Sequence, residues 1–148
     1  MPTLLRNVLA VIAGIVIGGA VNSALILVSP SLIPPPPGVD VNNAESLSSS
    51  MHLFAPRHFV MPFLAHALGT LAGALAAYMI AASSRARFAY AIGVLFLIGG
   101  IAACFMIPAP TWFIVTDLLL AYIPMAWLAV QIGSRMQGGS ATARSQMA

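Results

Sequence analysis

The sequence predicts an all-α polytopic membrane protein, a four-transmembrane-helix bundle with a short outer amphipathic helix. Three observations carry that expectation. Of 148 residues, 60% are hydrophobic and only 6% charged, against about 25% charged in an ordinary soluble domain. A mean hydropathy of +0.98 leaves an apolar excess that a water-facing surface has no means of hiding. Four stretches, 8–28, 59–82, 88–107 and 111–133, are long and apolar enough to cross the bilayer as helices, since about 30 Å of hydrocarbon takes roughly 20 residues. The net charge of +3 rests on six arginines and no lysine, which read as topology signals, so the expected partner is the lipid bilayer and not nucleic acid. The single cysteine, Cys104, excludes an internal disulfide framework and a Cys-rich metal site within one chain.

The first stretch follows Arg6, as a signal peptide would, but its apolar run is too long and no A-x-A site follows it, so it is expected to remain as an anchor. Residues 29–58 form the long outer loop. SPSLIPPPPGVD must run extended through its prolines. Asn42 with Glu45 three residues on looks like a capping box, and Leu47, Met51 and Phe54 then share one face of a short surface helix ended by Pro56. Pro124 is expected to kink the fourth span. The single domain covers residues 1–133, and the small, polar segment 134–148 is expected to be a disordered cytoplasmic tail. With four alternating spans, Arg6, Arg85, Arg87, Arg135 and Arg144 fall on one side, which the positive-inside rule makes cytoplasmic, with both termini there. Arg57 alone lies opposite, with Asp40 and Glu45 as candidate partners and Asp117 within snorkelling reach.

Lipid tails compete with side chains for apolar contact, so helices in a bilayer associate where small residues let backbones approach. The second span carries Ala65, Gly69, Gly73, Ala77 and Ala81 at spacing four. The first repeats the stripe with Ala10, Gly14, Gly18 and then Asn22, and the third sets Gly93, Gly100 and Cys104 on one side. These faces are expected to meet, either within one chain or across a homo-oligomer.

Asp117 is the only acid inside a span, where an unpaired carboxylate costs about 2.5–3.5 kcal/mol on insertion scales. Counted from the outer end of each helix, Asp117 lies about 9 Å deep, His66 about 10 Å and Asn22 about 9 Å. With Thr70, Thr116 and Ser23 adjoining them, these residues form a candidate polar cluster in the outer leaflet. Two readings stay open: interhelical glue, or a proton-labile or ligand-binding pocket open to the outside. His52, His58, Arg57 and Glu45 are candidates in the outer loop, but the spacings of His52, His58 and His66 match no zinc motif, so no metal and no cofactor is expected. No G-x-S-x-G, H-E-x-x-H, P-loop or dinucleotide fingerprint is present, which leaves motif-bearing enzyme classes without support.

The runs MHLFAPRHFVMPFLAHALGTLAGA and PAPTWFIVTDLLLAYIPMAWL, with His58, His66 and Asp117 in them, resemble those of small four-span bacterial membrane proteins that have no assigned activity. The resemblance implies a bacterial inner membrane and four spans, and carries over no chemistry. The expected function is therefore that of a small non-enzymatic integral membrane protein, free-standing or an accessory subunit of a larger membrane complex. The alternative is a small oligomeric transporter or channel-like protein that couples protons or solute through the Asp117–His66 cluster.

Overall fold

Apolar runs of this length leave the backbone one way to satisfy its own hydrogen bonds in hydrocarbon, which is helix. The computed structural model describes the backbone of residues 1–146 and side chains to residue 138, and contains no strand among them. Six α-helices follow in order: α1 (Thr3–Leu32), α2 (Ala44–Ser49), α3 (Val60–Ile80), α4 (Arg85–Met106), α5 (Thr111–Leu120) and α6 (Ile123–Gln146). Two 3-10 turns, Met51–Leu53 and Pro56–Phe59, lie between α2 and α3. Four stretches are long and apolar enough to cross a membrane: Thr3–Leu32, Pro56–Ile80, Arg85–Met106 and Thr111–Gly138. The protein is an all-α four-helix bundle. Large apolar side chains on its rim stand outward, Leu4 77% and Phe105 88% exposed, as the lipid-facing side of such a bundle requires.

Three features depart from expectation. The fourth span is two helices, not one kinked helix. The amide of Ala121 closes α5 on the Asp117 carbonyl at 2.9 Å, and the amide of Ala126 opens α6 on the Tyr122 carbonyl at 2.9 Å. Pro124 has no N–H to return to Leu120 and so sits in the first turn of a new helix, where that loss is harmless. In the loop, the cap is Asn43, whose side chain accepts from the Ser46 amide at 2.9 Å, while the Asn42 amide donates to Asp40 Oδ1 at 2.9 Å. The short helix therefore starts one residue late and ends at Ser49, and Pro56 begins the second 3-10 turn instead of ending a helix. Finally, α6 continues to Gln146, past Ser134. Residues 134–146 hold no proline, and extending an existing helix adds a hydrogen bond per residue fixed. Residues 147–148 and the Arg144 side chain, both part of the expected tail, lie outside the described residues.

Helix α3 is the centre of the bundle, touching α1, α4 and α6. Against α1 its glycines meet glycines: a Cβ on Gly18 would stand 2.7 Å from the Gly69 carbonyl oxygen, and one on Gly14 2.9 Å from that of Gly73. The stripes of the first two spans thus meet within one chain. The third does not join them. Gly93 faces Ala126, and Gly100 faces Tyr122, where a Cβ would overlap the phenol hydroxyl. The core among α3, α4 and α6 is built on Ala74, Ala77, Ala89, Ala126 and Ala129, with Ile92 fully buried, so close backbone approach carries the packing.

At the end of the bundle away from the long loop, α1 ties down the end of α3. Arg6 Nε donates to the Ile80 carbonyl at 2.6 Å, and Arg85 Nε to that of Ala81 at 3.1 Å. Asn7 accepts from the Ala82 amide at 2.9 Å and donates to Ser83 Oγ at 3.1 Å. Cations at the last carbonyls of a helix oppose its negative end.

Candidate functional site

Asp117, on α5, is 4% exposed. A carboxylate that deep in an apolar bundle needs donors on both oxygens, and it has two. His66, one helix away on α3, donates from Nδ1, which lies 2.9 Å from each carboxylate oxygen. The Tyr122 hydroxyl donates to Oδ2 at 2.9 Å. The His66 and Tyr122 rings stack with centroids 5.9 Å apart. Thr70, fully buried one turn below, donates to the His66 carbonyl at 2.7 Å and so stiffens that turn of α3. Three elements, α3, α5 and the start of α6, are knitted at one point.

Tyr122 does not enter a reading of the sequence because it stands five residues after Asp117. On an uninterrupted helix that spacing turns the two side chains to different faces. The break at Ala121 and Tyr122 swings the phenol back under the carboxylate, and Gly100 leaves the space it occupies. Pro124 was the available signal, since a helix restarting there must break just before it. Tyr122→Phe is expected to keep the ring packing and to lower stability in detergent by about 1.5–3 kcal/mol, the range for a hydrogen bond to a charged group. A chemical-unfolding comparison checks this, and an unchanged midpoint would mean that the hydroxyl contributes nothing.

Of the other residues placed at this depth, Asn22 packs against Gly69, where a Cβ would lie 3.0 Å from its own. Ser23 is exposed, and Thr116 donates to the Trp112 carbonyl at 2.7 Å on an exposed face. Each lies one position from its polar neighbour in sequence, which is about 100° around the helix and out of reach of the cluster. In the loop, exposed His52 donates from Nδ1 to the Ser49 carbonyl at 3.1 Å. His58 Nδ1 accepts from the Ala55 amide at 2.9 Å. Arg57 forms no ion pair with Asp40, Glu45 or Asp117 among the described residues, and Glu45 sits in the exposed first turn of α2. No group of three or more His, Cys, Asp or Glu residues among those described comes together as a metal site.

The cluster borders a cavity of about 590 Å³ at the loop end of the bundle. Its floor is His66 and Asp117, with Gly100 and Cys104 of α4 beside them. Ile26, Leu27 and Ile33 form the α1 wall, and Phe113 and Ile114 the α5 wall. Leu47 of α2, Met51 of the first 3-10 turn and Phe54 after it do not lie on one helix, yet all three line the cavity, as does His58. Helices α1 and α4 pack together lower down, where Gly14 faces Ile92 and Gly18 faces Phe96; above those contacts the cavity lies between them. Nδ1 of His66 is taken by Asp117, while Nε2 has no hydrogen-bond partner among the described residues and is not sealed from outside, since no enclosed side-chain polar atom there lacks a partner. The arrangement is a carboxylate that orients an imidazole and leaves its second nitrogen without a hydrogen-bond partner among the described residues.

Comparisons with protein-family models, with curated proteins and with solved structures find no match to this chain, so the reading of the site rests on its own geometry.

Proposed function

We propose that this is a non-enzymatic integral membrane protein, free-standing or an accessory subunit, whose working part is a ligand-binding cavity between its spans. The observation that carries the reading is the free Nε2 of His66, held by Asp117 on the floor of a cavity of about 590 Å³ with otherwise mainly apolar walls. Ligand pockets commonly have that makeup and a volume of about 300–1,000 Å³. A residue that only fastened α3 to α5 would gain nothing from an open second nitrogen. Filling the cavity tests the proposal: Ala103→Phe should leave the fold intact and abolish saturable uptake of lipophilic probes by the purified full chain. Equal uptake by both proteins would refute it.

A second reading, proton-coupled solute passage, is supported by the same pair, because an acid and an imidazole in contact within a span can exchange a proton.

The proposed setting is a bacterial inner membrane with both termini cytoplasmic. It is supported by Arg6, Arg85, Arg87 and Arg135 gathering at the end away from the long loop, with Arg57 alone opposite, and by the likeness of the MHLF and HALGT runs to small bacterial four-span proteins. An impermeant thiol reagent applied to whole cells carrying a Cys104→Ser background should label Ser49→Cys and spare Ser84→Cys, both exposed positions. The opposite pattern inverts the topology.

A further inference from the structure

The lining of the cavity restricts what can occupy it. No arginine borders it, and the chain has no lysine; the one carboxylate among the described lining residues is Asp117, which would repel an anionic head. A cationic head would find both oxygens of that carboxylate already accepting hydrogen bonds from His66 and Tyr122. Of the polar side chains that line it, which include Ser29, Asn42 and His58, His66 is the one held by a buried carboxylate, and its Nε2 is free. With Nδ1 donating to Asp117, Nε2 accepts from a hydroxyl when the ring is neutral and donates to a carbonyl when it is protonated. Phe54, Phe59 and Phe113 also line the cavity, with Phe59 and Phe113 packed on each other at 4.9 Å between ring centroids. Aromatic walls favour a planar ring over a flexible chain. The α1 and α4 walls carry Ile26, Leu27 and Ile107, which suit an apolar tail.

We propose that the cavity binds a neutral lipid-phase molecule with a planar, oxygen-bearing head of the quinone and quinol class, its carbonyl or hydroxyl oxygen hydrogen-bonded to Nε2 of His66. The proposal rests on the reading of the cavity as a ligand site, and it concerns binding alone.

Trp112 reports on occupancy, because its ring packs edge-on against Phe59 at 5.5 Å between centroids and Phe59 lines the cavity. The experiment uses the full chain carrying Trp127→Phe, purified in mild detergent, titrated with decylubiquinone and followed by quenching of Trp112 emission. Saturable quenching is expected, lost in Ala103→Phe, weakened about tenfold in His66→Ala and partly restored in His66→Gln, tenfold being the loss of roughly one hydrogen bond. Dodecanoate, dodecylamine and dodecanol should each compete at least tenfold more weakly than the reduced form of the probe, decylubiquinol. The His66→Gln arm keeps the test valid if His66→Ala does not fold. Quenching that rises linearly with the probe, unchanged by Ala103→Phe, would overturn both the ligand class and the cavity as a site. Saturable binding of dodecanoate, dodecylamine or dodecanol as tight as that of the quinone, and blocked by Ala103→Phe, would overturn the class and leave the cavity standing. Quinone binding that is indifferent to both His66 variants would overturn the hydrogen bond that defines the class.

Discussion

Gly73→Leu is expected to unfold or disassemble the bundle, while Leu71→Ala, two residues away, leaves it folded. A Cβ at Gly73 would lie 2.5 Å from the Gly14 carbonyl oxygen, 3.2 Å from Gly18 Cα and 3.3 Å from Ile92 Cγ2. Two of these three atoms are backbone, so no rotamer change relieves the clash. Leucine's three carbons beyond Cβ would force α1 off α3 along the interface where Gly14, Gly18, Gly69 and Gly73 set the helix separation. Overpacking costs about 1–3 kcal/mol where side chains can adjust; with backbone on both sides the cost should exceed that range. Leu71 is only partly buried, and its truncation should cost about 1 kcal/mol, below the range for a fully buried leucine. Unfolding titrations of both variants in mixed micelles measure the difference. Equal midpoints would mean that the close approach of α1 and α3 does not stabilise the protein.

The same interface shows what the sequence discloses and what it withholds. Glycine at spacing four on two apolar runs is visible because it repeats along one helical face; that Gly14 and Gly18 meet Gly69 and Gly73 in one chain depends on tertiary pairing, which no periodicity encodes. The contact of Asp117 with His66 was legible because helix rise converts residue number into depth, and a buried carboxylate requires a donor nearby. Depth carries no azimuth, so Ser23 and Thr116 share the level of the cluster and face away from it. Tyr122 was hidden by the break before Pro124, and that His58 lines the cavity depends on how the loop folds back over it. Local rules identified the spans and the polar layer; the cavity arises from the meeting of all of them.

His66→Ala is expected to lower stability by about 3–5 kcal/mol, the penalty for leaving a buried charge without its partner. Asp117 would keep the Tyr122 hydroxyl but lose the donor that lies 2.9 Å from both of its oxygens. Asp117→Asn should be close to neutral. Its amide oxygen can accept from His66 Nδ1, its NH2 can donate to a Tyr122 hydroxyl rotated to accept, and the buried charge disappears. The decisive variant is the double one. If the pair is coupled as the geometry indicates, His66→Ala should cost only about 1 kcal/mol in the Asp117→Asn background, a coupling of about 2–4 kcal/mol. If His66→Ala costs the same in both backgrounds, its effect is lost packing against Tyr122 and the carboxylate does not depend on it. Stability and binding then separate the two roles of the histidine. Asp117→Asn leaves the ring in place while removing the charge that fixes its orientation, so the folded variant should hold an Nε2 ligand several-fold more weakly. A fold undisturbed by Asp117→Asn together with unchanged binding would leave the carboxylate as a fastening between α3, α5 and α6, with His66 presenting its free nitrogen unaided.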